Sequence, residues 1–280
     1  VALNSVYNGK ILSETPFKQI WIQPNASDGG TGLGAAAYVR HTIQRHPRTY
    51  RMTHAYLGPE YSDAEIAAFL AMHGIRHHTF RDDMDLVAAV ADLLAKNAVI
   101  GWFQGRMEWG PRALGARSIL ANPCHTAMQA ILNQKVKHRE PFRPFAPIVC
   151  AEDAPRYFVC DEPVPEPTDY MLMVYPIREG FRAQLPAVTH VDGSGRVQTV
   201  RQPQNPRLYA LLQAFGRRSG IPILVNTSFN IRGEPIVCSP YDAYKCMMGT
   251  EIDGLVMGRY FIRRDDNPQH MWDSERYATD

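Results

Sequence analysis

The sequence has no apolar run long enough to cross a membrane. Its longest, such as Leu86 to Ala95, are short and interrupted by charge, against the ~20 residues that a spanning helix needs. No basic start followed by an apolar core marks a secretion signal. Net charge is also scarce: thirty basic against twenty-eight acidic residues leave +2. That excludes bulk attraction to nucleic acid or to an anionic membrane, so any anion site has to come from local clustering. Cysteine is sparse and unpaired in pattern. Cys124, Cys150, Cys160, Cys238 and Cys246 are odd in number, widely spaced and without C-x-x-C. This argues against a disulfide framework or a zinc site and for reduced thiols in a cytoplasm. There is no G-x-x-x-x-G-K-[ST], so a nucleotide site here is not a P-loop, and no G-x-S-x-G supports a hydrolase nucleophile. His73 and His77 have helical i, i+4 spacing, but Gly74 lies between them at an expected helix end, which speaks against a shared metal.

What is present fits a folded protein of roughly two domains: 280 residues, 45% hydrophobic and 21% charged. The chain opens at Val1 without a methionine, already in an apolar stretch, and reads as a piece of a longer protein. Gln19–Gln23 resembles a buried strand stopped by Pro24. A Gly-rich turn over Asp28 to Gly32 then leads into a helical pattern from Leu33 to Thr42. The tract Ala55 to Tyr61, with Gly58-Pro59, is the best linker candidate. Beyond it, Ser62-x-x-Glu65 is a capping box for a helix ending near Gly74. Further helices are expected at 85–96, 125–134, 206–217 (closed by Gly220) and from Ser239. Strands are expected at 98–103, 145–150, 171–175, 221–225 and near Leu255-Val256. Helices and strands alternate without repeats, which indicates a layered α/β fold. The polar stretch from Arg263 to Asp280 reads as an extended return or a frayed end.

Four segments could carry chemistry. Gly105 to Ser118 holds Arg106, Arg112 and Arg117 with three glycines and Pro111, directly after a buried strand. Small residues let a ligand approach the backbone, and guanidinium forks match phosphate or carboxylate oxygens. Lys135 to Phe145 carries Lys137, Arg139 and Arg143, the last fixed between Pro141 and Pro144; composition alone balances an anion site against simple helix-end pairing. Asn226 to Asn230 places amide and hydroxyl groups at a strand end, where α/β ligand sites gather, although an Asx or Ser turn uses the same residues. Arg196 follows a Gly-rich turn and is weak alone. Asp28, ahead of two glycines, reads from spacing as a turn former before a metal ligand.

In this order, Ile22 to Gly30, Gly101 to Leu120, Pro141 to Val149, Thr189 to Thr199 and Val225 to Val237 resemble the O-carbamoyltransferase family of antibiotic and nodulation-factor biosynthesis. The Gly-Pro-Arg-Ala-Leu-Gly and Asn-Thr-Ser-Phe-Asn stretches carry most of the likeness. The resemblance implies two parts. Residues 1–58 would be the end of a carbamoyl-transfer domain with an actin/sugar-kinase-like fold, similar to the tRNA threonylcarbamoyl transferases. Residues 59–280 would be a YrdC-like domain making carbamoyl-adenylate from ATP and carbamoyl phosphate. The K-x-R pattern of that domain falls on Lys137 and Arg139, and its S-x-N pattern on Ser228 and Asn230. With Arg112, Arg143 and Arg196 these would surround the phosphates, with Mg²⁺ beside the nucleotide. Asp28 falls on the metal-ligand aspartate of the transfer site, where the family expectation is Fe²⁺, and Asn4 on the strip lining its adenosine pocket.

The H-x-x-x-H pair and glycines that complete that transfer site would lie upstream of Val1. The resemblance therefore implies as partners the N-terminal half of the transferase domain and a hydroxyl-bearing small molecule, with neither nucleic acid nor membrane. Two rival readings are a threonylcarbamoyl-adenylate synthase of tRNA modification, using threonine and bicarbonate, and a non-catalytic RNA-binding module, which would bind with steep salt dependence.

Overall fold

Helix starts follow the capping chemistry in the sequence. Asn4 accepts from the Tyr7 amide at the head of α1 (Ser5–Glu14), and α2 spans Thr31–Tyr38 before a widened turn over Val39–Ile43. Ser62 and Glu65 close their capping box on α3 (Asp63–Met72), and Asp82 accepts from two amides at the start of α4 (Asp83–Ala95). Single turns form α5 (Met128–Ile131), α6 (Ala154–Tyr157) and α7 (Glu179–Arg182). Asn205 caps α8 (Pro206–Ser219), which ends at Gly220 with φ 80°. A box of Ser239 and Asp242 opens α9 (Pro240–Met248). These caps satisfy amides that the first helical turn leaves without partners.

The computed structural model describes residues 1–268. Among them, nine strands form one sheet: β1 (His78–Thr79), β2 (Ile100–Phe103), β3 (Arg117–Ala121), β4 (Ala146–Cys150), β5 (Met173–Pro176), β6 (Ser194–Val200), β7 (Ile223–Ser228), β8 (Gly254–Met257) and β9 (Tyr260–Arg263). Their order is β1-β9-β8-β2-β3-β7-β4-β6-β5, with only β2/β8 and β4/β6 parallel. The fold is mixed α/β. Alternate residues of the central strands enter opposite cores. Leu120, Ile148 and Leu224 pack beneath α4 and α8 with Leu86, Leu94, Leu212 and Phe215. Ile119, Val149 and Val225 face the other layer with Leu70, Met128, Tyr157 and Met247. Both faces are covered, which is why these strands read as unbroken apolar runs.

Several expectations change. Gln19–Gln23 forms no strand; Ile22 is buried in a small cluster with Ala55, Leu114 and Leu172, while Trp21 is exposed. The segment packs through Ile22, with Ile20 partly buried beside it, and pairs with no strand among the described residues. The expected linker is bonded along its length to the 105–118 loop. The Gly58 amide donates to Met107 O (2.9 Å), the Met107 amide to Pro59 O (2.9 Å) and the Trp109 amide to Ala55 O (2.7 Å). Strands β1, β3, β6 and β9 and helix α1 were not expected as such. The start of the polar tail is pinned: buried Asn267 accepts from the Arg76 amide and donates to Arg76 O. Its continuation over 269–280 lies outside the described residues.

Candidate active site

The arginine-rich loop between β2 and β3 is built around a buried carboxylate. Glu108 Oε1 accepts from the amides of Leu114 (2.6 Å), Ala116 (2.7 Å) and Arg117 (3.3 Å). Burial pushes its carboxyl up, against those amides. Arg117 is fully buried over the Phe103 ring at 3.6 Å and donates to the carbonyls of Pro59, Gln104, Gly105 and Ala116. Arg106 reaches Glu60 (3.5 Å) and Gly58 O (3.1 Å). Of the three arginines, then, two hold the loop and only Arg112 is left for a ligand. Gly115 makes the geometry possible: its φ is 102°, and a Cβ there would sit 2.1 Å from Leu208 Cδ2 of α8.

The second cluster is organised by Asn133, which is fully buried. Its Oδ1 accepts from Arg139 Nε (2.7 Å), and its Nδ2 donates to the carbonyls of Pro141 (3.1 Å) and Arg143 (2.9 Å). His138, at φ 46°, turns the chain between Lys137 and Arg139. Lys137 Nζ then donates to Ser228 O and Oγ (3.2 Å) and to Asn230 O (2.9 Å) and Oδ1 (2.7 Å). Ser228 Oγ also bonds Asn230 Oδ1 at 2.6 Å. Burial brings the Lys137 ammonium down to about 7, with Cys246 opposing and Arg139 adding to the fall.

Beside this knot is a cavity of about 160 Å³ where β7, β4 and β6 meet the loop ahead of β3, with Arg112, Arg139, Arg196, Asn226 and Ser228 in its wall. Arg139 also lies over the Phe145 ring at 4.9 Å. Among the described residues, Arg112 and Arg196 have no hydrogen bond or ion pair, and Arg112 Nε is buried. Burial, then the charges of Arg112 and Arg139, lower the Arg196 guanidinium to about 10. Three cations converge with no carboxylate between them, an arrangement that repels itself until an anion enters.

Two family models match this sequence: the carbamoyltransferase N-terminus over residues 1–37 and the carbamoyltransferase C-terminus over 91–264. The chain belongs to the carbamoyltransferase family. Nodulation protein NolNO of Sinorhizobium fredii is 42% identical over 97% of this chain and 40% of its own length. A 3'-hydroxymethylcephem-O-carbamoyltransferase of Streptomyces clavuligerus is 34% identical over 94% of this chain and 47% of its own. The chain thus spans about half or less of the curated relatives it matches. Among solved structures, full-length HypF in its phosphate- and nucleotide-bound form aligns with a TM-score of 0.43 at 16% identity, over 68% of this chain and 23% of that one. A variant of P. abyssi Sua5 aligns with a TM-score of 0.45 at 14% identity, over 64% and 50%.

In this carbamoyltransferase chain, the remaining expected site residues lie apart from the cavity. Arg143 is half-exposed and pairs with Glu140 at 2.9 Å. Asn4 caps α1, while its neighbour Asn8 is the buried amide, donating to Ala2 O and Leu172 O. Asp28 is exposed at the start of a single 3₁₀ turn. Among the described residues, no group of three His, Cys, Asp or Glu could hold a metal ion. Nor is any helix among them long and apolar enough to cross a membrane. Sequence reasoning gave no role to Glu108 or Asn133, two buried polar side chains, and placed Asn226 only as one amide of a strand-end segment; a lone polar residue amid glycines or apolar neighbours was the signal available for the first two.

Proposed function

We propose that this chain activates the carbamoyl group for an ATP-dependent O-carbamoyltransferase. Residues 59–280 would form the YrdC-like adenylate-forming domain and 1–58 the end of the transfer domain. The supporting observation is the joining of Lys137 to both Ser228 and Asn230, beside a cavity where Arg139, held by Asn133, meets the unpaired Arg112 and Arg196. That is the convergence expected of the K-x-R and S-x-N patterns. The cavity suits a small acyl phosphate; a nucleotide would extend past its mouth.

The reaction balances with one water. Carbamoyl phosphate loses inorganic phosphate to give carbamate. A carbamate oxygen attacks the α-phosphorus of ATP, and the bond to the bridging oxygen breaks as pyrophosphate leaves. An acceptor hydroxyl then attacks the carbamoyl carbon and displaces AMP. The first two steps gather charge on phosphate oxygens, which fixed guanidinium groups stabilise without reorganising. Acceptor binding and transfer, with any Fe²⁺, would belong to the larger N-terminal part of the enzyme, while Ser228 and Asn230 would hold the nucleotide or its Mg²⁺.

The test is pyrophosphate release from ATP, with and without carbamoyl phosphate. Release that requires carbamoyl phosphate, falls at least a hundredfold in Lys137→Ala and survives in Asp28→Ala supports the assignment. Release that is indifferent to carbamoyl phosphate or to Lys137 refutes it. Release driven by threonine and bicarbonate would move the chain to threonylcarbamoyl-adenylate synthesis.

A further inference from the structure

The cavity wall that presents three guanidinium groups also presents one group of opposite character. Asn226 lies in the middle of β7, its backbone inside the ladder between Leu120 of β3 and Ala146 of β4. What it offers the cavity is therefore its side-chain amide, which is almost fully buried. The orientation of that amide is fixed by a relay. Gln198 Nε2 donates to Leu114 O at 2.7 Å, so Gln198 turns its Oε1 towards Asn226. Asn226 Nδ2 donates one hydrogen to that oxygen at 2.5 Å and the other to Ala113 O at 3.1 Å. Rotating the Asn226 amide by half a turn would place its oxygen against two other carbonyl oxygens. Its Oδ1 is consequently held away from them, buried and without a hydrogen-bond partner.

A buried amide oxygen with no partner is costly to keep, and a ligand that brings an N–H to it removes the cost. Orthophosphate and pyrophosphate have no nitrogen to bring. Resting on the carbamoyl-activating role proposed above, we infer that Asn226 is a specificity-determining residue: its Oδ1 accepts an N–H of the carbamoyl –NH₂, while Arg112, Arg139 and Arg196 hold the phosphate end. The hydroxyls of Thr227 and Ser228 can donate as well as accept, whereas this amide oxygen only accepts. The site therefore discriminates between a carbamoyl group and an acyl group of the same shape with a methyl in place of the amino group. A site built around such a hydrogen bond rejects the analogue lacking it, because its own polar atom stays unpaired.

The experiment is calorimetric titration of the chain with carbamoyl phosphate, acetyl phosphate and inorganic phosphate, in the absence of ATP. Wild-type protein is expected to bind carbamoyl phosphate at least about tenfold more tightly than acetyl phosphate. In Asn226→Leu that ratio should fall to near one, with inorganic phosphate still bound within about threefold of wild type. Gln198→Met, which leaves Asn226 in place but removes the oxygen that orients it, should narrow the ratio too; this variant carries the test where Asn226→Leu fails to fold. Equal affinity of wild type for the two acyl phosphates overturns the inference, as does a ratio that both substitutions leave intact. If inorganic phosphate binds and discrimination is absent, only the role of Asn226 falls. If none of the three binds, the reading of the cavity as a phosphate site falls with it.

Discussion

Lys137 is held where burial disfavours its charge and four oxygens favour it. Its ammonium sits at about 7 rather than the usual 10.5, so between those values the folded chain binds fewer protons than the unfolded one. The penalty is complete below about pH 7 and is relieved as pH rises towards 10.5, so this group alone makes the protein more stable on the alkaline side. Ligand affinity has the opposite sign. A phosphate near Nζ favours the ammonium, so binding takes up a proton wherever the free lysine is neutral. Pyrophosphate affinity should therefore fall by up to about tenfold per pH unit from pH 7 to 9. Arg112, Arg139 and Arg196 keep their charge over most of that range. Lys137→Met should bind weakly and lose the slope, measured by titration at several pH values. A slope that persists in the variant would assign the proton to another group.

Among the elements, the β2–β3 loop shows how local backbone shape serves the site. Gly115 combines a left-handed φ with contact against Leu208 at the start of α8, so any side chain meets both strain and overlap. Gly115→Ala should cost about 3 kcal/mol in urea unfolding and weaken phosphate binding by displacing Arg112. Equal stability would show that the loop yields easily. The elements legible in the sequence were those with local punctuation: Ser62 with Glu65, Asn205 with Pro206, Gly220, and the apolar runs of β2, β4 and β7. The missed strand β6 lacked it. β6 reads Ser-Gly-Arg-Val-Gln-Thr-Val, a polar stretch whose strand character comes from pairing with β4 and β5 on either side. The same division holds at the site. Arg112, Arg139, Arg196 and Ser228 could be picked out by type and motif and do share a cavity. That Arg117 is structural and Asn226 points an acceptor inward depends on contacts 9 to 113 residues apart in sequence, which no spacing reveals.

Across the whole molecule, the distribution of apolar surface is uneven. The layers around the sheet are covered on both sides, whereas α2 buries none of its residues. Val6, Tyr7, Phe17, Trp21, Leu33, Tyr38 and Ile43, all before residue 50, are exposed. Scattered exposed side chains are ordinary, but a concentration of this kind in one segment marks a contact surface. The segment's first 37 residues are the part matched by the N-terminal family model, and relatives extend well beyond this chain's length. On the proposed architecture, the preceding part of the transfer domain covers it. Isolated from tertiary packing, an eight-residue helix is marginal in water. Amides of α2 should therefore exchange with solvent deuterium within seconds in this chain. In the full-length enzyme they should be protected by at least about a hundredfold, the signature of burial in a cooperative unit. Amides of β3, β4 and β7 should be slow in both, which separates a local effect from a general change in stability. Fast exchange of α2 in the full-length enzyme would show that this surface stays open, and would remove the first 58 residues from the proposed transfer domain.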